Sequence, residues 1–311
     1  MNQDIQNEIK KVIIGKDEII EKILMAILAK GHVLLEDVPG VGKTTTALAF
    51  AKVLGLSARR IQFTSDTLPS DIIGFSVYDK EQGRLSYKEG AVMTNLLLAD
   101  EINRTSSKTQ SALLEAMEER GVTVDGVTHA LPEPFIVLAT QNPVGSAGTS
   151  MLPNSQLDRF MLKLNMGYPD MKSQMEIMRD RHHEDPLEKI HAVIDKETLL
   201  KLSEEAENVY VSDKIYTYIS LLVEETRNNE LVRLGISPRG ALALCRAAKS
   251  RAYIRGRNYV LPDDAKAVFK DVCAHRLMLN AKARLHEKTA NDILNDIAKK
   301  VAEPTAERLM A

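Results

Sequence analysis

The chain has 311 residues, of which 44% are hydrophobic and 27% charged, a composition typical of a globular protein with about two domains. Its formal net charge of −2 argues against a dedicated nucleic-acid-binding protein, because such proteins usually carry a clear basic excess. No apolar run approaches the roughly 18 residues of a membrane-spanning helix, and the polar N-terminus lacks a signal-peptide pattern, so we expect a cytoplasmic protein with no membrane span.

The first half of the sequence alternates short apolar runs with helix-patterned stretches. Short runs bounded by Gly, Pro, Asn or Asp are typical of the buried strands of a parallel sheet. The alternation predicts an α/β fold with a doubly wound sheet. The runs are HVLLE (32–36), ARRIQF (58–63), NLLLAD (95–100), PFIVLAT (134–140) and FMLKLNM (160–166).

The sequence pattern changes near YPD (168–170). From there to Ala311, almost every stretch has the apolar spacing of an amphipathic helix. We therefore predict an α/β core over residues 1–168, a linker over 169–189 and an α-helical domain over 190–311.

A candidate phosphate-binding loop, LLEDVPGVGKTTTA (34–47), follows the first predicted strand. The strict pattern G-x-x-x-x-G-K-[ST] would place glycine at position 37, where the chain has Asp37. Backbone N–H groups and the positive end of the next helix would still face the phosphates, with the Asp37 side chain turned away. A helix N-terminus capped by small residues is the alternative. We expect nucleotide contacts from Pro39, Gly40, Val41, Gly42, Lys43, Thr44 and Thr45.

Polar residues follow the third and fourth apolar runs. Asp100 and Glu101 end NLLLADE (95–101), and a nucleotide hydrolase needs one carboxylate for its metal and one to polarise the attacking water. We predict that Asp100 and the Thr44 hydroxyl bind Mg²⁺ and that Glu101 acts on the water; an ordinary acidic strand end is the alternative. Asn142, at the end of VLATQN (137–142), would position the water or contact the γ-phosphate; an ordinary Asn-Pro turn is the alternative.

Two arginines complete the set of candidate residues. Arg159 lies in NSQLDRF (154–160) and Arg239 in GISPRGAL (235–242). Taken singly, each arginine is typical of a surface salt bridge.

The combination resembles the MoxR family of AAA+ ATPases, over nearly the whole first half and into the second. The motifs that carry the resemblance are EDVPGVGKT, LLLADEINRTSSKTQSALLEAMEE, VLATQNPV, LDRF and SPRGAL. It implies an AAA+ P-loop core with a five-stranded parallel sheet of order 5-1-4-3-2, a C-terminal helical lid and a ring, usually hexameric, with ATP at subunit interfaces. It implies Walker A roles for Lys43 and Thr44, Walker B roles for Asp100 and Glu101, sensor 1 for Asn142, an arginine finger for Arg159 and sensor 2 for Arg239. Arg104 in EINR also matches the family pattern.

Two segments resemble insertions of this clade. Residues 64–93 are too long for a plain connection between strands and resemble its helix-2 insertion, although YKEGAVMTN (87–95) departs from the expected pattern. Residues 119–135 contain the dipeptide Asp125-Gly126, a hairpin signal, and resemble the hairpin before sensor 1. Surface decoration is the alternative for both.

The resemblance implies Mg²⁺-dependent ATP hydrolysis by a homo-oligomeric ring that remodels or matures a protein partner, often one with a von Willebrand factor A domain. Two alternatives stay open: a DNA-directed AAA+ motor and the ATPase subunit of a metal-chelatase complex. The near-neutral charge disfavours nucleic acid as a partner, and the basic stretch at 246–257 has one aromatic residue and no evident stacking platform.

Overall fold

The computed structural model describes residues 1–36, 40–81, 83–142, 152–180 and 186–304. Its strands are β1 (Val33–Glu36), β2 (Ala58–Gln62), β3 (Phe75–Asp79), β4 (Arg84–Lys88), β5 (Leu96–Asp100), β6 (Gly121–Val124), β7 (Val127–Ala130), β8 (Ile136–Gln141), β9 (Leu162–Leu164), β10 (Val232–Leu234) and β11 (Met278–Leu279). Its α-helices are α1 (Asn2–Lys10), α2 (Asp17–Leu28), α3 (Lys43–Val53), α4 (Pro69–Ile73), α5 (Ser107–Glu119), α6 (Asn154–Leu157), α7 (Met171–Asp180), α8 (Lys196–Glu207), α9 (Asp213–Arg227), α10 (Pro238–Ile254), α11 (Pro262–Cys273), α12 (Ala281–Leu285) and α13 (Ala290–Lys300). Short 3-10 turns lie at Ile102–Arg104, Pro186–Lys189 and Ala274–Arg276. Within these described ranges, no helix is both long and apolar enough to cross a membrane.

Five strands form the central sheet in the order β2-β5-β8-β1-β9. When these strands are numbered along the chain, the order is 5-1-4-3-2, so the predicted fold class is confirmed. The pairs β1–β8, β5–β8 and β2–β5 are parallel. Because parallel strands point the same way, their carboxyl ends meet at one edge, where Gln62 lies opposite Asp100 and Glu36 lies opposite Gln141.

The centre of the sheet is buried and one edge is exposed. Strands β5 and β8 are buried at every residue, which accounts for their Leu-, Ile-, Val- and Ala-rich sequences. The run ARRIQF forms strand β2 as predicted, but the expectation that it is buried is wrong. Four of its five strand residues are exposed, because β2 lies at the sheet edge and, among the described strands, pairs only with β5.

Helix α3 starts immediately after the candidate loop. Its N-cap, Gly42, accepts hydrogen bonds from both the N–H and the Oγ1 of Thr46, each at 2.9 Å. The helix buries Ala47 and Phe50 and packs against β5 and α1. This packing holds the amino end of α3 near the carboxyl end of the sheet, where the candidate acids lie.

Two antiparallel hairpins lie between the core strands. The pair β3–β4 follows α4 within residues 64–93, and the pair β6–β7 turns on Asp125 and Gly126, with φ angles of 49° and 78°. Positive φ at both turn residues matches the twist of a two-residue hairpin. The rings of Tyr87 and His129 stack with centroids 3.9 Å apart and planes 12° apart, so the two hairpins contact each other.

The chain forms two compact units. The first comprises Met1–Ile23, His32–Leu152 and Leu164–Leu200, and the second comprises Leu24–Gly31, Pro153–Lys163 and Lys201–Ala311. In the second unit, α9, α10, α11 and α13 pack together and bury Tyr218 and Phe269. The Asp264 carboxylate, completely buried, pairs with both Arg251 and Arg257.

Candidate nucleotide-binding site

The candidate phosphate-binding loop has two glycines in a left-handed backbone conformation. Gly40 has a φ of 87° and Gly42 a φ of 92°, angles that residues with side chains rarely adopt. Apart from the chain neighbours, no atom of the described residues lies within 4 Å of where a Cβ on either residue would be, so the described part of the chain leaves this space open. Open space at the positive end of a helix suits an anion such as phosphate.

The residues after this turn lie at the start of α3. Lys43 is its first residue and is buried, whereas Val41, Thr44 and Thr45 are half-buried. Residues 37–39 lie outside the described residues. The expected contact from Pro39 and the expected orientation of the Asp37 side chain therefore stay predictions.

Asp100 ends β5, and side chains from both neighbouring strands hold its carboxylate. Thr140 on β8 donates its hydroxyl to Oδ1 at 2.7 Å. Arg60 on β2 donates to Oδ2 from Nη2 at 2.8 Å and from Nε at 3.2 Å. Each carboxylate oxygen can accept more than one such contact, so both remain able to bind a hard cation.

Glu101 follows directly but has different partners. Its φ of 57° takes the chain out of strand geometry, and its N–H donates to Thr140 Oγ1 at 2.8 Å. Asn142 Nδ2 donates to Oε1 and Arg104 Nη1 donates to Oε2, both at 2.8 Å. Adjacent acids are therefore held in different directions, and the Thr140 hydroxyl contacts both residues.

The pKa of Glu101 is set by opposing effects. Burial raises this pKa, because it disfavours the charged carboxylate. Hydrogen bonds from Arg104, Asn142 and Gln62 act in the other direction and hold the pKa below its ordinary value. The carboxylate is consequently ionised at neutral pH and able to accept a proton.

Further amide side chains hold Asn142 and its neighbour. The N–H of Asn142 donates to Asn103 Oδ1 at 3.4 Å, and Asn103 Nδ2 donates to the Asn142 carbonyl at 3.3 Å. Gln141 Nε2 donates to Glu36 Oε1 at 2.5 Å. Side-chain hydrogen bonds thus join the carboxyl ends of β1 and β8 and the turn after β5.

A cavity of about 300 Å³ adjoins the loop. Lys16 shapes one side of it, since its Nζ donates to the carbonyls of Met166, Gly167 and Tyr168 at 2.5, 3.0 and 2.9 Å. The wall is mainly apolar away from the loop, a combination that suits a flat ring attached to a polar group. Its lining includes Ile13, Ile14, Gly40, Gly42, Tyr168 and Met178.

The remaining two predicted residues lie in the second unit. Arg159 is half-buried and follows α6, and Arg239 is the exposed second residue of α10. The first unit thus brings together Asp100, Glu101 and Asn142, and the second unit carries the two arginines.

Four side chains that hold the acids or Asn142 are absent from the sequence-derived set of candidates. They are Arg60, Gln62, Asn103 and Thr140. Arg60 and Gln62 are two residues apart on β2 and therefore lie on one face of the strand. Polar alternation in a predicted strand was the signal that could have indicated them.

Comparison with known proteins agrees with the fold of the chain. Residues 32–162 match the model of the ATPase family associated with various cellular activities (AAA), and residues 224–297 match the AAA lid domain. A crystal structure of a Cytophaga hutchinsonii protein, 38% identical, has a TM-score of 0.90 and is matched over 97% of this chain and 94% of that one.

Two relatives cover most of the chain. The uncharacterized protein YeaC of Bacillus subtilis is 48% identical over 296 residues, 95% of this chain and 92% of that protein. Chaperone MoxR1 of Mycobacterium tuberculosis is 42% identical over 306 residues, 96% of this chain and 81% of that protein. The chain therefore belongs to the MoxR family of AAA+ ATPases.

Proposed function

We propose that this ATPase binds ATP with Mg²⁺ at the glycine loop and the adjoining sheet edge, and hydrolyses it as an oligomeric ring that does chaperone-like work on a protein partner. The observation that carries the catalytic proposal is the separate hold on two adjacent acids. Arg60 and Thr140 direct the Asp100 carboxylate, whereas Asn142 and Arg104 direct that of Glu101. Two carboxylates with different partners can divide metal binding and water activation.

The glycine loop would bind the phosphates. Gly40 and Gly42 have left-handed conformations beside space that the described residues leave open, and Lys43 adds a positive charge at the helix start. In that role the N–H groups of residues 40–45 contact the β- and γ-phosphates. Orientation by fixed N–H groups lowers the entropy cost of aligning the γ-phosphate with water.

Asp100 and the Thr44 hydroxyl would hold the Mg²⁺. The described residues contain no cluster of three or more His, Cys, Asp or Glu that could bind a metal alone. In nucleotide sites, Mg²⁺ is usually bound by a few protein oxygen ligands together with the phosphates of the substrate. When bound, the cation neutralises charge on the phosphates.

Glu101 would accept the proton of the attacking water. Its lowered pKa keeps the carboxylate ionised, and Asn142 and Arg104 fix its two oxygens at 2.8 Å each. Asn142 is itself held by Asn103, so the amide can position the water and the base together. The cavity next to the loop would receive the base of the nucleotide against Ile13, Ile14 and Tyr168.

Arg159 would contact the ATP of the neighbouring subunit, and Arg239 would contact the ATP of its own subunit. An arginine finger from a neighbour stabilises the charge that grows on the γ-phosphoryl group, so hydrolysis requires assembly. Support for this assignment is the family membership and the match of LDRF and SPRGAL to the family pattern. A ring, usually hexameric in this family, is therefore part of the proposal.

The partner would be a protein, and we propose one with a von Willebrand factor A domain. Support comes from the relative named chaperone MoxR1 and from the family resemblance. Affinity capture with the Glu101→Gln form and ATP, followed by mass spectrometry, tests the choice. The proposed partner is wrong if captured proteins carry no such domain or are the same without ATP.

The catalytic assignment is tested with Glu101→Gln. We expect turnover to fall about 10²- to 10⁴-fold, because the amide cannot take a proton, while ATP binding is retained. Steady-state hydrolysis and fluorescent-nucleotide binding measure the two. Glu115→Gln, an exposed acid on α5, is the matched control and should behave as wild type. Wild-type turnover in Glu101→Gln would remove Glu101 from the mechanism.

A further inference from the structure

A buried arginine clamps the segment that carries Arg159. Arg276 is 5% exposed and lies in the 3-10 turn after α11. Its Nη2 donates to the carbonyls of Asp158 at 3.1 Å and Phe160 at 2.7 Å, and its Nη1 donates to that of Met161 at 3.2 Å. Three carbonyls on one guanidinium fix the backbone on both sides of Arg159.

Asp158 extends this clamp to the start of α10. Its Oδ1 accepts from Arg276 Nε at 2.7 Å, and its Oδ2 accepts from Ser237 Oγ at 3.0 Å. Ser237 is the N-cap of α10, where its hydroxyl also accepts from the Gly240 N–H at 3.1 Å. The carboxylate of Asp158, the residue before Arg159, therefore binds Ser237, which lies two residues before Arg239.

The backbone of α10 approaches Arg276 too closely for a side chain at position 240. A Cβ on Gly240 would lie 2.9 Å from Arg276 Cδ and 2.6 Å from Ile236 Cγ2. Contacts this short force a shift, so the glycine permits the close approach. The helix start is thus packed onto the clamp as well as hydrogen-bonded to it.

We propose that Asp158, Ser237 and Arg276 are positioning residues that join the Arg159 segment and the start of α10 into one rigid body. This proposal rests on the proposed roles of Arg159 toward the neighbouring subunit's ATP and of Arg239 toward its own. A displacement of Arg239 by its own nucleotide then moves Arg159 as well. The link transmits the nucleotide state of one subunit to the active site of the next.

The physics of the link favours joint movement. Its hydrogen bonds involve ionised groups, which are stronger than neutral ones, and Arg276 is almost completely desolvated. Separating the Arg159 segment from the start of α10 would break the Ser237–Asp158 hydrogen bond or draw Asp158 away from Arg276. The second change would leave a buried charge without its partner, which is strongly unfavourable. The free-energy cost is therefore lower when the Arg159 segment and the start of α10 move together than when either moves alone.

The test is Ser237→Asp with Ser237→Thr as the conservative variant. Aspartate is as good an N-cap as serine, so α10 keeps its cap, but the new carboxylate repels that of Asp158. Threonine keeps both the cap and the hydroxyl. We expect cooperative ATP hydrolysis in the wild type and in Ser237→Thr, and a Hill coefficient of about 1 in Ser237→Asp, because coupling between sites is lost.

Thr289→Ala is the control that distinguishes loss of the link between Asp158 and Ser237 from loss of stability. It removes the N-cap hydrogen bond of α13 in the same unit, away from Asp158, and should keep the wild-type Hill coefficient. Thermal unfolding and size-exclusion chromatography check folding and assembly. If Ser237→Asp does not fold, Ser237→Ala replaces it. Thr289→Ala is then the matched control, because each alanine variant loses the N-cap hydrogen bond of one helix.

Two results overturn the proposal. One is an unchanged Hill coefficient in a folded, assembled Ser237→Asp variant, and the other is wild-type hydrolysis that follows simple hyperbolic saturation. Failure of the proposed function has a different signature, since it leaves Glu101→Gln with wild-type turnover. The two failures are therefore distinguishable.

Discussion

The two units of the chain bury their ion pairs to different degrees. At the sheet edge of the first unit, Asp100 and Glu101 are 11% and 17% exposed, and their arginine partners are 47% and 43% exposed. In the second unit, Asp264 is 0% exposed with partners that are each 22% exposed, and Arg276 is 2% exposed with a partner that is 21% exposed. A pair with an exposed arginine contributes less stability and exchanges partners more easily than a pair with a fully buried member, which cannot lose its partner without a large cost. The first arrangement suits ligands that come and go, and the second suits a rigid link.

The largest expected effect is a loss of stability from Asp264→Asn. The change removes the charge that Arg251 and Arg257 share, and leaving buried charges uncompensated typically costs about 3–5 kcal/mol. Urea unfolding measures the free energy. The exposed neighbour, Asp263→Asn, is the control and should stay within about 0.5 kcal/mol of wild type. A small loss in Asp264→Asn would break the contrast between the units.

The same variant has a defined pH dependence. Burial raises the pKa of Asp264, but hydrogen bonds from Arg257, the Leu261 N–H and Arg251 hold that pKa below its ordinary value. Its contribution is therefore complete above the ordinary carboxyl pKa and is lost as the pH falls through the lowered one. The stability difference between wild type and Asp264→Asn should shrink on acidification over that window.

The next largest effect is on catalysis, from Thr140→Val. Valine keeps the shape but leaves Asp100 Oδ1 without its donor and the Glu101 N–H without its acceptor. We expect kcat to fall about 10- to 100-fold, because small displacements of catalytic groups are costly. Thr109→Val is the control, a buried threonine on α5 whose hydroxyl contacts the Thr67 carbonyl. An equal loss of kcat in the control would indicate general destabilisation.

Local patterns in the sequence predicted the parts of the fold that depend on local chemistry. Apolar runs marked β1, β5 and β8, and the glycines marked the turn that opens α3. The strand order came from the family resemblance. The exposure of β2 was missed because a strand's place in the sheet depends on its neighbours, which a single run does not encode.

The partners of the candidate residues were harder to predict than the residues themselves. Asp100 and Glu101 stand together in the sequence, but Arg60 and Gln62 reach them through the β2–β5 register. Similarly, Asp158 and Arg276 are 118 residues apart, and only the packing of the second unit joins them. No local pattern specifies such pairs.

A moderate effect is expected from Arg60→Gln on Mg²⁺ binding. The Arg60 guanidinium lies 2.8 Å from Asp100 Oδ2 and competes electrostatically with a cation for the carboxylate. We expect the half-saturating Mg²⁺ concentration to fall by up to about fivefold, since an ion pair with an exposed partner contributes at most about 1 kcal/mol of interaction free energy. Nucleotide fluorescence in Mg²⁺ titrations measures it without turnover.

The neighbouring residue offers a matched control for this experiment. Arg59→Gln removes an equal charge from the opposite face of β2, where Arg59 pairs with Glu89, and should leave the Mg²⁺ requirement unchanged. A higher Mg²⁺ requirement in Arg60→Gln would show that orientation of Asp100 by the arginine outweighs its competition with the cation. The Asp100 pair would then resemble the fixed pairs of the second unit.

The smallest expected effect is on the acid limb of the pH profile, from Arg104→Gln. Arg104 is one of the groups that hold the pKa of Glu101 below its ordinary value, so its loss should move that pKa upward. Activity requires the ionised carboxylate, so kcat/KM should begin to fall at a higher pH than in wild type. Measuring kcat/KM against pH for both proteins under the same conditions controls for the titration of ATP itself. An unmoved profile would mean that Asn142 and Gln62 alone hold the pKa of Glu101 down, and a profile that moves to lower pH would mean that Arg104 raises this pKa.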